Sequence, residues 1–179
     1  MSSVDLQIGV ASASLQGLDA LGVDALVLLP FESERPLCGV NGYCDWRLNG
    51  RLSRMLEQGI FSAKPEEALL TDTRERIGAE RIFLFGQGGD APRDFPGWRD
   101  RFLATLPALQ KAGVKSFATE LPPSPPAGDL PDQAREVRRC LAHIAAALPQ
   151  CKAVFLTDAP HWRDLLESHA ELGYSSTQP

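Results

Sequence analysis

Two short, uninterrupted apolar segments constrain the fold of this chain more than any other feature. Residues 25–30 read ALVLLP, bounded by turn residues, and residues 81–86 read RIFLFG. A strand without polar alternation is typical of a parallel or mixed sheet whose two faces are both covered by helices. The two segments therefore predict strands in a sheet that is packed between helices.

Helical periodicity alternates with further strand-like segments along the chain. Strands are predicted at residues 6–10, 68–71, 114–119 and 153–157, and helices at residues 14–22, 45–58, 96–112, 133–148 and 160–172. Pro107 is expected to kink or split the helix at 96–112. The alternation predicts a three-layer α/β/α sandwich around a mixed, mostly parallel sheet of about six strands.

Length and proline content bear on the domain organisation. A chain of 179 residues allows one domain of ordinary size or two very small ones. Residues 121–131 hold five of the 14 prolines and are predicted to be a stiff loop. Because strands and helices continue to alternate beyond this segment, it is interpreted as a loop inside the domain, and residues 1–179 are interpreted as a single domain.

Composition narrows the classes of partner. The 23 acidic and 18 basic residues give a net charge of −5, which argues against a nucleic-acid binder. A cluster of Arg135, Arg138 and Arg139 on one predicted helix is interpreted as a solvated face. No apolar run approaches the ~20 residues that span a bilayer, and residues 1–5 lack the features of a secretory signal. A cytoplasmic protein without membrane contact is expected.

The four cysteines form no C-x-x-C pair, so neither a zinc knuckle nor a thioredoxin-like motif is predicted. Cys140 falls among the apolar positions of a helix and Cys151 opens a strand, and both are interpreted as buried thiols. Cys38 and Cys44 bracket a segment that is interpreted as a Gly-rich loop. They could pair under oxidation, although free thiols are expected in the cytosol.

The segment Gly86-Gln87-Gly88-Gly89 is the strongest candidate for a binding site. It follows an apolar strand and shortly precedes a helix, and the backbone amides of such a loop can hold a phosphate at the carboxyl end of a sheet. However, G-x-G-G lacks the third glycine of the dinucleotide fingerprint. Ligand binding by Gly86, Gly88 and Gly89 stays open beside a simple tight turn, which is preferred.

Asp158 and His161 offer a second candidate, as a catalytic or metal-binding pair. Asp158 followed by Pro160 is more typical of a helix N-cap, which is the preferred interpretation. No catalytic residue, metal site or cofactor is predicted. Three residues near the starts of predicted helices are interpreted as helix–sheet packing residues: Trp46, Trp98 and Trp162.

Four segments go beyond general pattern. They read DALV at residues 24–27, DWRLNGRL at 45–52, LEQGIFSAK at 56–64 and RIFLFGQG at 81–88. In this order they resemble the N-terminal domain of the leucyl, or cytosol, aminopeptidase family. There, a D-A-L-V strand precedes the motif L-x-x-x-L-x-x-G-x-F-x-G-K and then a strand that ends in G-L-G. The resemblance covers about residues 4–120 and implies a macro-domain-like fold, a mixed sheet between helices.

The chain departs from the family pattern at three positions, where Ala63 and Pro65 stand for glycines and Gln87 stands for leucine. In the family, peptidase chemistry belongs to a separate C-terminal domain that binds two divalent metals and carries a signature like N-T-D-A-E-G-R-L. This sequence lacks that signature, and residues 157–159 repeat only three of its letters.

The resemblance therefore implies a non-catalytic domain that acts as an interaction or regulatory module. Its expected partner is a second copy of itself or a full-length aminopeptidase. Two alternatives stay open. One is a macro-like domain that binds a nucleotide or an ADP-ribose-type ligand near Gly86, Gly88 and Gly89, and the other is the N-terminal piece of a complete two-metal leucyl aminopeptidase.

Overall fold

Six strands are present in a computed structural model that describes residues 6–89 and 94–170. They are β1 (Gln7–Ala11), β2 (Val23–Leu28), β3 (Ala68–Asp72), β4 (Ala79–Phe85), β5 (Ser116–Glu120) and β6 (Lys152–Leu156). They form one sheet in the spatial order β1-β6-β5-β2-β4-β3. Neighbouring strands are parallel except for β3, which lies antiparallel to β4 at one edge. The predicted mixed, mostly parallel sheet is confirmed.

Six helices cover the two faces of the sheet in the described part of the chain. They are α1 (Leu15–Asp19), α2 (Gly39–Arg47), α3 (Arg51–Glu57), α4 (Phe95–Lys111), α5 (Leu130–Ala147) and α6 (Pro160–Ala170). One apolar cluster joins the sheet to α4, α5 and α6, and a second joins it to α1, α2 and α3. The predicted three-layer sandwich is confirmed. The predicted end of the last helix at residue 172 lies outside the described residues.

None of these described helices is long and apolar enough to cross a bilayer.

The central strand β2 explains why its sequence has no polar alternation. Ala25 and Val27 belong to the cluster with α4, α5 and α6, whereas Leu26 and Leu28 belong to the cluster with α1, α2 and α3. All four side chains are at most 2% exposed. Successive side chains of a strand point to opposite faces, so a strand covered on both faces is apolar at every position.

Two helices, α2 and α3, replace the single helix predicted at residues 45–58. Asn49 and Gly50 between them adopt positive φ angles of 56° and 74°, which interrupt a right-handed helix. The apolar stripe continues across this break, which is why periodicity alone predicted one helix. The loop predicted at residues 38–44 is also wrong, because α2 already begins at Gly39.

Helix α4 continues through Pro107, so the predicted split is wrong, whereas a kink there stays a prediction. Proline removes one main-chain hydrogen bond from a helix. Phe102 and Leu106 before the proline and Leu109 after it are at most 4% exposed. Because apolar side chains are buried on both sides of Pro107, packing against the sheet holds the helix together across it.

Trp98 and Trp162 are helix–sheet packing residues, as predicted, since they are 6% and 0% exposed. The Trp98 ring stacks on Phe102 with a centroid distance of 5.1 Å, and the Trp162 ring packs on Phe95 at 5.4 Å. Trp46 is 63% exposed. The same prediction is therefore wrong for Trp46, because it lies on the side of α2 that faces away from the sheet.

The proline-rich segment 121–131 connects β5 to α5 and is anchored at its start. Leu121 N donates a hydrogen bond to Leu156 O at 3.0 Å, and Trp162 Nε1 donates to Pro122 O at 2.7 Å. Leu121 and Pro122 are both buried. These bonds hold the segment against β6 and α6, while the extent of the domain over residues 1–179 stays a prediction.

The loop after β4 is closed by main-chain hydrogen bonds to the chain beside it. Gly86 N donates to Glu67 O and Gly88 N donates to Ala63 O, both at 2.8 Å. A methyl group on Gly86 would lie 2.1 Å from Lys64 O. Glycine is required at position 86 because two stretches of backbone approach each other at this point.

We expect Trp162→Phe to lower the free energy of unfolding by about 1–3 kcal/mol, because it leaves the buried carbonyl of Pro122 without its donor. Urea denaturation followed by circular dichroism measures the change. Trp46→Phe is the matched control, and its exposed position predicts a change within about 0.5 kcal/mol. Equal losses in the two variants would contradict the role of the Trp162–Pro122 hydrogen bond.

We expect Gly86→Ala to cost about 3 kcal/mol or more, since the added carbon meets backbone atoms that have little room to move. Gly89→Ala is the control, because beyond its chain neighbours no atom of the described residues lies within 4 Å of the added carbon. Thermal unfolding of both variants tests this prediction, and a G86A variant that yields no folded protein agrees with it. A G86A variant as stable as G89A contradicts it.

Candidate functional site

A cleft opens at the carboxyl ends of β2, β5 and β6, where the chain leaves these strands. After β2 the chain passes to α2 on one face, and after β5 it passes to α5 on the other face. Such a divergence between adjacent parallel strands creates a crevice at their carboxyl ends, which is where open α/β sheets bind ligands. The crevice here has a volume of about 450 Å³, within the usual range for small-molecule sites.

The cleft has two walls of different character. On the side of α4 and α5 its lining is largely apolar and includes Leu29, Phe31 and Leu121. On the side of α2 the lining carries the carboxylates of Glu34 and Glu120. Neither acidic residue was predicted as a site residue, although each comes soon after a predicted strand, which is the position that could have identified them.

Glu34 is only 6% exposed and lies in the wall beside α2. Its Oε1 accepts hydrogen bonds from Cys38 N at 2.9 Å and from Cys38 Sγ at 3.3 Å. Asn41 Nδ2 donates to both carboxylate oxygens at 3.2 Å. A buried carboxylate is stabilised by such donors because burial without them is costly. Glu34 therefore fixes the turn that leads from β2 into α2.

Glu120, the last residue of β5, holds the same end of α2. Its Oε2 accepts a hydrogen bond from Val40 N at 3.1 Å. Gly39 lies so close that a side-chain carbon there would be 2.8 Å from Glu120 Oε1, and its φ is 54°. The first amides of a helix have no partner within the helix and attract anions. In this protein two of those amides, those of Cys38 and Val40, donate to the protein's own carboxylates.

Two buried polar atoms in the cleft lining have no hydrogen-bond partner among the described residues. They are Thr119 Oγ1 and Trp98 Nε1. Thr119 is 1% exposed and Trp98 is 6% exposed. Buried polar groups are nearly always hydrogen-bonded, so each such group calls for a physical explanation. A bound molecule can therefore accept one hydrogen bond from Trp98 Nε1 and exchange another with Thr119 Oγ1.

Arg101 brings a positive charge to the apolar side of the cleft. Its guanidinium lies over the Phe31 ring, 5.3 Å from the centroid. Burial lowers the pKa of Arg101 from its ordinary value, and the nearby carboxylates of Asp94 and Asp100 oppose this change. The side chain still carries its charge at neutral pH, because arginine keeps its proton in proteins.

Asp158 does not cap α6, which corrects the sequence-based interpretation. Its Oδ1 accepts hydrogen bonds from Ser12 Oγ at 2.7 Å and from Ala13 N at 3.1 Å. The start of α6 is instead held by Thr157, whose Oγ1 accepts from Ala159 N at 3.2 Å. The Asp158 carboxylate therefore joins the ends of β1 and β6, beside the cleft.

His161 is not paired with Asp158. Its Nε2 is buried without a hydrogen-bond partner among the described residues, and its ring lies 5.8 Å from that of Trp162. In the described residues no group of three or more histidine, cysteine, aspartate or glutamate side chains is arranged to hold a metal ion.

The glycine loop lies outside the cleft lining. Gly86 and Gly88 donate their amide protons to main-chain carbonyls, and Gln87 N donates to Pro30 O at 3.1 Å. Gly89 is exposed. A phosphate at this loop would have to compete with those main-chain bonds, and ligand binding by Gly86, Gly88 and Gly89 stays a prediction.

None of the four cysteines forms a disulfide bond. Cys140 and Cys151 are buried, as predicted, and burial raises the pKa of each to about 12. Burial also raises the pKa of the Cys44 thiol. Cys38 is exposed at the start of α2, six positions before the buried Cys44 on the same helix, so the two do not face each other.

The arginine cluster on α5 is exposed, as predicted for a solvated face. Arg135 forms an ion pair with Asp132 at 2.8 Å, and Arg139 forms one with Glu136 at 2.7 Å.

Known proteins match this chain in both sequence and structure. The model of the cytosol aminopeptidase family, N-terminal domain, matches residues 27–137. A probable cytosol aminopeptidase of Geobacter sp. (strain M21) is 35% identical over 98 residues, which are 55% of this chain and 20% of that protein. The chain thus matches only about a fifth of the length of this curated relative.

Solved structures agree on the fold. A mutant of tomato leucine aminopeptidase matches 93% of this chain with 35% of its own, with a TM-score of 0.59 and 16% identity. The Trypanosoma brucei macrodomain matches with a TM-score of 0.63 and 16% identity, over 90% of this chain and 66% of its own. In complex with ADP, the same macrodomain matches with a TM-score of 0.59 and 18% identity, over 89% and 69%.

The structural neighbours establish a macro-domain-like fold, and the family model covers more than half of the sequence. The chain belongs to the cytosol aminopeptidase family, in which it corresponds to the N-terminal domain.

Proposed function

We propose that this chain is a non-catalytic interaction or regulatory module that binds a second copy of itself or a full-length aminopeptidase. The observation that carries the proposal is the exposure of two aromatic side chains on α2, Tyr43 at 40% and Trp46 at 63%. Tyrosine, tryptophan and arginine are the residues most enriched at the energetic centres of protein interfaces.

These side chains have the spacing of an interface. Tyr43 and Trp46 are three positions apart on α2 and therefore lie on neighbouring parts of one helix face. The Arg47 guanidinium lies 5.2 Å from the centre of the Trp46 ring and forms an ion pair with Asp19. The exposed ring thus lies against a charged pair and offers an anchor to a partner.

The two glutamates of the cleft favour a role without catalysis. The buried carboxylate, Glu34, accepts hydrogen bonds from the start of α2, and Glu120 does the same two residues further on. A general base needs a carboxylate that can reach a substrate proton. Groups that hold a helix end serve the fold instead. A cytoplasmic location for this module belongs to the same proposal.

The association is tested with the purified full chain by light scattering, alone and mixed with a full-length cytosol aminopeptidase of the same genome. We expect a dimer or a mixed complex. Trp46→Ala should weaken the complex roughly 30-fold, as for a central interface tryptophan that contributes about 2 kcal/mol. Leu130→Ala is the control, since Leu130 is 66% exposed on α5, and it should leave the affinity unchanged.

Two outcomes would overturn this proposal. One is a strictly monomeric chain that does not bind the aminopeptidase. The other is turnover of a leucine anilide by the purified chain with Mn²⁺ or Zn²⁺ present, because that would contradict a non-catalytic role.

A second candidate function is the binding of a small molecule in the cleft. The observation that favours it is the pair of buried, unpartnered polar atoms, Thr119 Oγ1 and Trp98 Nε1, in the cleft lining. The Trypanosoma brucei macrodomain, whose fold is similar, binds ADP in one of its structures. A nucleotide or ADP-ribose-type ligand near Gly86, Gly88 and Gly89 is the form of this function that the sequence predicts.

A third reading takes the chain as the N-terminal piece of a complete two-metal leucyl aminopeptidase. The reading frame that follows Pro179 in the genome tests it directly, because a catalytic domain encoded in the same frame would support it and a stop codon would oppose it.

We expect Thr119→Val to raise the free energy of unfolding of the ligand-free protein by about 1 kcal/mol, because it removes a buried hydroxyl that has no partner. Chemical denaturation of the variant and the original chain measures the difference. Thr105→Val is the matched control, since the Thr105 hydroxyl is buried but donates to Phe102 O at 2.7 Å. Thr105→Val should therefore not stabilise the protein. Destabilisation by Thr119→Val would contradict the absence of a partner for the Thr119 hydroxyl among the described residues.

A further inference from the structure

We propose that the cleft binds a small organic amine, an ammonium group on an apolar body that also carries a neutral hydrogen-bond acceptor. The inference rests on the second proposed function, binding in the cleft, and names the chemical class of the ligand. It differs from the nucleotide expectation, because a nucleotide brings negative charge and an amine brings positive charge.

The charge of the lining favours a cation. Three carboxylates lie among the described lining residues, those of Glu34, Glu120 and Asp158, against the single guanidinium of Arg101. In a partly closed crevice, such an excess of one sign attracts the opposite charge. A phosphate at the same place would be repelled.

The main-chain donors that a phosphate would need are already occupied. At the start of α2, Cys38 N donates to Glu34 Oε1 at 2.9 Å and Val40 N donates to Glu120 Oε2 at 3.1 Å. Phosphate sites in α/β proteins depend on helix N-terminal amides of this kind. Displacing the two carboxylates would deprive the buried Glu34 of the donor at Cys38 N, which is costly.

Asp158 is the carboxylate best placed for the ammonium group. It is exposed beside the cleft, and both hydrogen bonds that it accepts from described residues go to Oδ1. Its Oδ2 accepts none from them. One oxygen thus fixes the side chain to Ser12 and Ala13, while the other can accept a charge-assisted hydrogen bond.

Other residues of the lining specify the rest of the ligand. Leu29, Phe31 and Leu121 offer apolar surface, and Thr119 Oγ1 and Trp98 Nε1 lack partners among the described residues. The indole N–H can only donate, so the ligand must carry an acceptor for it. A hydroxyl oxygen on an apolar amine meets this requirement.

Four probes separate the alternatives by isothermal calorimetry with the full chain: phenylalaninol, 3-phenyl-1-propanol, 3-phenylpropionate and ADP. The first three share a phenylpropyl body and differ in charge. We expect phenylalaninol to bind with a saturable isotherm and 3-phenyl-1-propanol to bind at least about tenfold more weakly. We expect no binding of 3-phenylpropionate or ADP over the same concentrations.

Two variants place the ligand. Asp158→Asn keeps an oxygen for Ser12 and Ala13 but removes the charge. It should weaken the binding of phenylalaninol about tenfold, to the affinity of the uncharged alcohol. Asp164→Asn, at an exposed aspartate on α6 outside the cleft lining, is the matched control and should change nothing. Thr119→Val should weaken the amine and the alcohol by the same factor, because it removes a contact that both make.

The outcomes separate the inference from the function on which it rests. If ADP or 3-phenylpropionate binds as tightly as phenylalaninol, the proposal that the ligand is an amine is overturned, whereas the proposal that the cleft binds a ligand remains. Binding of phenylalaninol that neither Asp158→Asn nor Thr119→Val weakens also overturns the inference, since the ligand would then lie elsewhere. If none of the four probes binds at about 10 mM, the inference and the cleft function both fail.

Discussion

Two carboxylates accept hydrogen bonds from the start of α2, and the end of the sheet that carries the cleft depends on this interaction. Glu34 comes from the turn after β2 and Glu120 from the end of β5, and both accept hydrogen bonds from the first residues of the helix. The helix N-terminus favours negative charge there. The two central strands and one surface helix are thereby joined at a single point, and the cleft lies beside it.

This interaction separates what the protein shares with its neighbours from what is particular to it. The crevice exists because the connections after β2 and β5 diverge to opposite faces, and any sheet with that topology has one. What a crevice binds depends on its side chains and not on the fold. Here the helix end that elsewhere suits an anion is already occupied by Glu34 and Glu120, so a macro-domain-like fold does not by itself imply a nucleotide ligand.

The sequence predicted the layers well and the site poorly, for a physical reason. Strand β2 is buried on both faces, so all of its residues from Ala25 to Leu28 are apolar. This apolar run is what reveals the strand in the sequence. The break between α2 and α3 was not predicted, because Asn49 and Gly50 change only the backbone angles while the apolar stripe continues. The acidic residues of the cleft were not predicted, because Glu34 and Glu120 are distant in sequence and come together only through strand pairing. The glycine loop had a recognisable sequence pattern, yet the amides of Gly86, Gln87 and Gly88 donate to main-chain carbonyls.

Helix α2 connects the two proposed roles, because its residues belong to both surfaces. Tyr43 lines the cleft, whereas Trp46, three positions further, is exposed outside the cleft lining. A ligand and a protein partner would therefore contact the same rigid element at neighbouring positions. Since Glu34 and Glu120 fix the start of that helix, the spacing between the two surfaces is set by the fold and not by the ligand. Because Tyr43 belongs to both surfaces, its substitution would affect both roles, and the two roles are separated by residues that belong to one surface each, Trp46 for the interface and Asp158 for the cleft.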